Sequence, residues 1–279
     1  MYFKEDFSTP KFKQLPNPHR EFLLSSTEIL KKDERILGVA AGGSFILNNT
    51  DEYSDLDLVI VVDPPRYTEV FKDRKLIAQN LGSLLESFTG EHVGEPRLLI
   101  CLYGPPLLHV DLKFISLNDI HNRVEDPIII WERDSILTDI ISKTKSKYPV
   151  PDIEWIENRF WVWIHYIAGK IGRGELFEAI ESLSFLRSYV FGPLILLKNN
   201  TRPQGVRKIE KYAGDYSERL KLTIALHNLK SCMESLKAAI TLYEDLREEL
   251  IKNDNLKLNI KLIDDVKKYL ESIEKRVLS

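Results

Sequence analysis

The run Gly42-Gly43-Ser44-Phe45-Ile46-Leu47-Asn48-Asn49-Thr50-Asp51-Glu52-Tyr53-Ser54-Asp55-Leu56-Asp57-Leu58-Val59-Ile60-Val61-Val62 decides the fold of this chain. Its end, Asp55–Val62, is apolar and β-branched and is stopped by Asp63-Pro64-Pro65, which predicts a β-strand. Ile36–Ala41 predicts a second strand, ending in the Gly-Gly-Ser turn. Residues i and i+2 of a strand share a face, so Asp55 and Asp57 point the same way. Two carboxylates so placed repel each other unless a cation joins them. Hard oxygen donors suit Mg²⁺, which commonly sits with a carboxylate pair, waters and phosphate oxygens. The glycines leave the backbone at Gly42, Gly43 and Ser44 open, so its N–H groups and the Ser44 hydroxyl can hold a phosphate.

Outward from this run, Glu21–Lys32 predicts an amphipathic helix and Val70–Ser87 another. Pro96–Tyr103 and Leu107–Ile115 predict two more strands around Gly104-Pro105-Pro106. Alternation in the second of these sets Leu108, Val110, Leu112 and Phe114 on one face, and His109, Asp111 and Lys113 on the other. If that strand lies beside Asp55–Val62, Asp111 completes a carboxylate triad. His109 would then lie in the site as a neutral hydrogen-bonding partner.

The second half of the chain is helical in pattern, with helices near 152–172, 175–198, 217–252 and 256–277. Asp152 suits an N-cap, and Pro193 should kink or end the second helix. On the first helix, Ile156, Phe160, Ile164, Ile167 and Ile171 form a core stripe. Trp155, Arg159, Trp163, Tyr166, Lys170 and Arg173 form the adjoining face, whose aromatics and cations could meet adenine and triphosphate. Of these, Lys170 is the candidate nucleotide-binding residue. The loop 198–211 is basic, with Lys198, Arg202, Arg207, Lys208 and Lys211 against Glu210 alone. It could hold phosphate or simply be solvated.

Composition bounds the rest. The 279 residues carry 39 basic and 42 acidic side chains, a net charge of −3, with 43% hydrophobic residues. These are globular values, and a near-neutral chain is poorly suited to coating nucleic acid. No run approaches the roughly 18 consecutive apolar residues of a membrane span, and the N-terminus lacks the apolar stretch of a signal peptide. Cys101 and Cys232 match no disulfide or metal spacing, so a cytoplasmic location is expected. Lys147-Tyr-Pro-Val-Pro-Asp152 breaks the chain into two domains, 1–148 and 149–279. Residues 1–150 have a net charge of −5 and residues 151–279 a net charge of +2. The fold class predicted is α+β, a mixed β-sheet with flanking helices followed by an all-α helical bundle. The amphipathic helices of the bundle could pack within the chain or against a second copy as a homodimer.

Gly43-Ser44, ten residues, then Asp55-Leu56-Asp57 resembles the signature of the DNA polymerase beta-like nucleotidyltransferase superfamily. Thr50–Leu58 is similar to its antibiotic-modifying branch, the aminoglycoside and lincosamide nucleotidyltransferases. Ile130–Ser135 resembles the strand and turn that follow the core sheet there, and Phe160–Ala179 the first helix of the C-terminal domain. The resemblance fades after about residue 215. It implies a catalytic N-terminal domain and a helical substrate-binding domain, with nucleotide and acceptor in the cleft between them. It implies Mg²⁺-dependent transfer of AMP from ATP to a hydroxyl of a small molecule, an aminoglycoside- or lincosamide-like antibiotic, with release of pyrophosphate. Gly43 and Ser44 would hold the phosphates, Asp55 and Asp57 the metal, and Asp111 would be the third carboxylate. Some relatives place a glutamate base four residues before a helix lysine. Here Tyr166 stands there, which favours Asp111 as the base. Glu91, Glu95, Asp126, Glu132 and Asp134 would offer a cationic substrate an acidic rim. Adenylylation of a protein or another metabolite, and a non-catalytic nucleotide-binding module, remain open alternatives.

Overall fold

The computed structural model describes residues 10–250 and 256–278. It divides into two compact units, Met1–Tyr148 and Pro149–Ser279.

The first unit is built on a six-stranded mixed sheet of β1 (Ile36–Ala41), β2 (Leu56–Val62), β3 (Leu84–Gly90), β4 (Glu95–Tyr103), β5 (Leu108–Ser116) and β6 (Ile128–Glu132), in the order β3-β4-β5-β2-β1-β6. Neighbouring strands are antiparallel except β2 and β5, which run parallel. A short helical turn, α1 (Pro10–Lys13), precedes α2 (Asn17–Leu30). Leu23 and Leu30 of α2, with Val70 and Ile77 of α3 (Tyr67–Asn80), pack on Leu56, Leu58 and Ile60 of β2 and on Val110, Leu112 and Phe114 of β5. The opposite face is covered further along by Leu137 and Ile141 of α4 (Ile136–Lys143), which join Val61, Ile115 and Ile120. That face is therefore apolar at the ends of β2 and β5 and acidic at their beginnings.

Local chemistry moves several boundaries. Helix α2 begins at Asn17 rather than Glu21, because Pro18 in its first turn has no N–H to leave unpaired. The helix expected over Val70–Ser87 starts at Tyr67 and stops at Asn80, and Leu84–Gly90 instead forms the edge strand β3. Gly82 lies in the turn between them, where an added Cβ would be in ordinary van der Waals contact with Tyr103 and Phe22. Strand β6 pairs with β1 in the same sheet, and the turn after it holds Asp134 and Ser135 at positive φ.

The second unit is all helical: α5 (Ile153–Gly172), α6 (Leu176–Leu186), α7 (Gly192–Lys198), α8 (Ile209–Tyr212), α9 (Tyr216–Lys221), α10 (Leu229–Leu250) and α11 (Ile260–Leu278). Asp152 caps α5 by accepting from the Trp155 N–H, and the stripe Ile156, Phe160, Ile164, Ile167 and Ile171 is buried. A π-helical stretch, Arg187–Phe191, takes up the proline at 193, so α6 runs on into α7. The continuous stretch Leu176–Lys198 is long and apolar enough to cross a membrane, and Leu183, Leu186, Val190, Leu194 and Ile195 on it are core residues of this unit. The helix expected over 217–252 is broken after Lys221 and restarts at Leu229, where Asn228 accepts from the Ser231 N–H. Residues 251 and 252 of that expectation lie outside the described residues, as do the first nine residues of the chain. At the centre of the unit, the buried Glu157 carboxylate accepts from Trp161 Nε1 (3.2 Å), Tyr243 Oη (2.7 Å) and Arg247 Nη1 (3.3 Å).

Candidate active site

The turn after β1 is tied to β2. The Gly42 N–H donates to the Asp57 carbonyl at 2.9 Å. Gly43 has φ +56°, and a Cβ there would collide with the Asp57 carboxylate. Glycine is therefore required twice over, by conformation and by space. Ser44 is buried, and its hydroxyl lies 3.2 Å from that of Thr50. The connection to β2 is held by local bonds. Asp51 Oδ1 accepts from the Tyr53 N–H at 3.1 Å and from Ser54 Oγ at 2.8 Å. The Ser54 carbonyl, next to Asp55, accepts from Nε2 of the buried His19 at 2.7 Å. A carbonyl can only accept, so Nε2 is the donor.

Asp57 on β2 stands opposite Asp111 on β5 in the parallel register. Asp55, Asp57 and Asp111 each offer a carboxylate oxygen, and the three oxygens lie within 4.8 Å of one another. All three residues are half-buried. Burial pushes the Asp111 carboxyl above its ordinary pKa and the Asp55 charge adds to this, while His109, with Nε2 3.0 Å from Asp111 Oδ1, pulls it down. Three hard oxygen donors of like charge at this separation fit a divalent cation.

A fourth carboxylate reaches the same turn. Glu125 Oε1 accepts the Gly43 N–H at 3.1 Å. Its loop is anchored next door, where the Arg123 guanidinium donates to Thr144 Oγ1 (2.6 Å), the Thr144 carbonyl (2.7 Å) and Asp126 (2.6 Å). Neither His19 nor Glu125 stands out in the sequence. His19 lies just ahead of the helix expected over Glu21–Lys32, and Glu125 lies in an irregular stretch with no periodicity to give its direction.

Three of the five residues expected to form an acidic rim are engaged within the chain. Glu132 is buried, and its carboxylate accepts from the N–H groups of Leu137 and Thr138 at the start of α4. Glu95 is held by Arg97 and by Lys113, each at 2.7 Å, and Asp126 by Arg123. In the helical unit, Lys170 Nζ lies 2.7 Å from Glu175 and 2.9 Å from Glu178 and sits over the Tyr166 ring. These two carboxylates raise its pKa. From the basic loop, Lys198 is paired with Glu249 and donates to Tyr216 Oη at 2.6 Å.

An aminoglycoside 6-adenyltransferase from Bacillus subtilis is similar in structure, with 16% identity, 93% of this chain and 99% of that one covered, and a TM-score of 0.40. A nucleotidyltransferase-like protein from Exiguobacterium sibiricum 255-15 has 13% identity, coverage of 94% and 91%, and a TM-score of 0.39. A cyclic dinucleotide synthase, CdnE, from Elizabethkingia meningoseptica has 13% identity, coverage of 92% and 91%, and a TM-score of 0.29. No curated protein matches the chain by sequence. The sequence model of the streptomycin adenylyltransferase family matches residues 19–273, which takes in the glycine turn, all three carboxylates and nearly all of the helical unit. On that match, the chain belongs to the streptomycin adenylyltransferase family and is a nucleotidyltransferase.

Proposed function

We propose that the protein is a cytoplasmic, Mg²⁺-dependent adenylyltransferase that moves AMP from ATP to a hydroxyl of a small antibiotic of the aminoglycoside or lincosamide kind, releasing pyrophosphate. The observation that carries this is the convergence of Asp55, Asp57 and Asp111 beside the Gly42-Gly43-Ser44 turn. Asp55, Asp57 and Asp111 would hold the metal, which when bound offsets charge on the triphosphate. Gly42, Gly43 and Ser44 offer N–H groups and a hydroxyl to phosphate oxygens. Lys170, held by Glu175 and Glu178 within the helical unit, would be a nucleotide-binding cation. Asp111 would take the proton of the attacking hydroxyl, with His109 at 3.0 Å orienting its carboxylate. The hydroxyl oxygen bonds to the α-phosphorus as the bond to the pyrophosphate oxygen breaks. The unit 1–148 is the catalytic domain in this reading, and 149–279 binds the acceptor. Adenylylation of a protein or another metabolite would use the same groups.

The test is incubation with Mg-ATP and a panel of aminoglycosides and lincosamides, read by mass spectrometry for an AMP adduct. The control is the double variant Asp55→Asn, Asp57→Asn. An adduct made by the native protein and not by the variant supports the proposal. Metal-dependent nucleotide binding without an adduct removes the antibiotic. No nucleotide binding removes the proposal.

A further inference from the structure

Of the three clustered carboxylates, Asp57 and Asp111 stand opposite each other inside the β2–β5 ladder. Asp55 lies one residue ahead of β2, and the ladder begins after it, with Leu56 opposite Val110. Where the Asp55 carboxylate points therefore depends on the chain that leads into the strand. The Ser54 carbonyl belongs to the peptide group that also carries the Asp55 N–H. That group is planar, so holding its oxygen holds the whole plane. The oxygen is held by Nε2 of His19, at 2.7 Å.

His19 is 3% exposed, and it belongs to α2, whose Leu23 and Leu30 pack on the other face of the sheet. Its second nitrogen, Nδ1, is buried as well and meets no hydrogen-bond partner among the described residues. A buried polar atom left unpaired costs stability. A carbon side chain of similar size would fill the same space without that cost. Packing does not account for an imidazole here, whereas the bond from Nε2 to the chain beside Asp55 does.

We propose that His19 is a positioning residue for the metal centre: by tying the Ser54–Asp55 peptide to α2, it aims the Asp55 carboxylate at the point where Asp57 and Asp111 converge. This rests on the reading of the triad as a divalent-cation site. The three oxygens lie within 4.8 Å of one another, and their like charges push them apart. At Asp57 and Asp111 the repulsion works against the strand ladder. At Asp55 it works against the lead-in chain that His19 holds. A carboxylate kept in place before the cation arrives loses less freedom on binding it, so the site binds more tightly.

The experiment titrates the full-length protein with Mn²⁺ alone, followed by electron paramagnetic resonance, with melting temperatures taken in EDTA. The variants are His19→Leu, His19→Gln and His19→Asn. Leucine removes the donor. Glutamine puts an N–H where Nε2 stood, and asparagine carries the same amide one carbon short of it. His19→Leu and His19→Asn are expected to weaken Mn²⁺ binding about tenfold, and His19→Gln by less than about threefold. The order of affinities should not follow the order of melting temperatures. If His19→Leu fails to fold, the comparison of Asn with Gln decides, since only their reach differs. Native affinity in the Leu or Asn variant, or equal weakening in Gln and Asn, overturns the inference. Asp55→Asn is titrated in parallel. If it loses Mn²⁺ while the His19 variants match the native protein, only the role of His19 falls. If the native protein binds no Mn²⁺, the metal centre falls with it.

Discussion

Asp57 and Asp111 stand opposite each other on β2 and β5, the one parallel pair in the sheet of the described residues. Each is an acidic residue on a face that becomes apolar four residues further on, at Val61 and Ile115. Nothing in the packing of the sheet calls for two like charges there. Replacing either by asparagine removes a charge without changing shape. Asp57→Asn and Asp111→Asn should each lower AMP transfer by at least about 100-fold. Thermal melts in EDTA should show both variants as stable as the native protein or more so, because a repulsion has been relieved. A variant with lowered melting temperature and native activity would contradict this.

Gly43 carries a different constraint. Its φ of +56° and the closeness of the Asp57 carboxylate leave no place for a methyl group. Gly43→Ala should cost about 1–3 kcal/mol in urea unfolding. It should also lower transfer more than Gly94→Ala, because Gly94 has a positive φ but open space around it and lies at the β3–β4 turn.

Much of this site could be read from residue order. Asp57 lies in an unmistakable strand with Asp55 one residue ahead of its start, and Asp111 alternates with buried Val110 and Leu112, so the direction of Asp57 and Asp111 follows from period alone. The partnership of β2 with β5 needed the three-dimensional register. The misreadings share one cause, a dependence on distant geometry. Leu84-Leu-Glu-Ser-Phe continues a helical pattern, and only pairing with β4 makes it a strand. Glu132 counts as surface charge until the positive-φ turn at Asp134 and Ser135 brings α4 back over it. Glu125 reaches Gly43 across 82 residues of chain.

In the helical unit, Glu157 is almost wholly buried, and Arg247 is its counter-charge at 3.3 Å. Removing one partner of such a pair costs more than removing a neutral hydrogen bond. Arg247→Met should destabilise by about 3–5 kcal/mol in urea titrations. Tyr243→Phe, which deletes one neutral donor to the same carboxylate, should cost about 1–3 kcal/mol. Equal effects from the two would show that Arg247 is not the compensating charge.

Acid should act through Glu95. The Arg97 guanidinium, with Lys113 beside it, holds this carboxyl down to about 2 from an ordinary 4.5. The folded state thus binds the proton less readily than the unfolded one. The stability Glu95 confers is whole above about pH 4.5 and is lost as pH falls toward 2. Urea midpoints of the native protein and Glu95→Gln should differ at pH 6 and draw together as pH falls through 3 toward 2. A gap that stays constant over that range would place the effect elsewhere.

The parallel join between β2 and β5 also bears on how the molecule folds. On one side β5, β4 and β3 follow one another as antiparallel neighbours, and on the other β2, β1 and β6 are antiparallel too. The meander β3-β4-β5 and the pair β1-β2 can each form from consecutive strands, whereas the join of β2 to β5, like that of β1 to β6, must close a long loop of chain. Asp55 and Asp57 belong to one half and Asp111 to the other. A chain with both halves made but not yet joined has no triad, so a cation that needs all three carboxylates binds only the completed sheet. Its binding energy then acts as a clasp on this long-range contact, and it should slow the separation of β2 from β5 more than the fraying of the outer edge at β3.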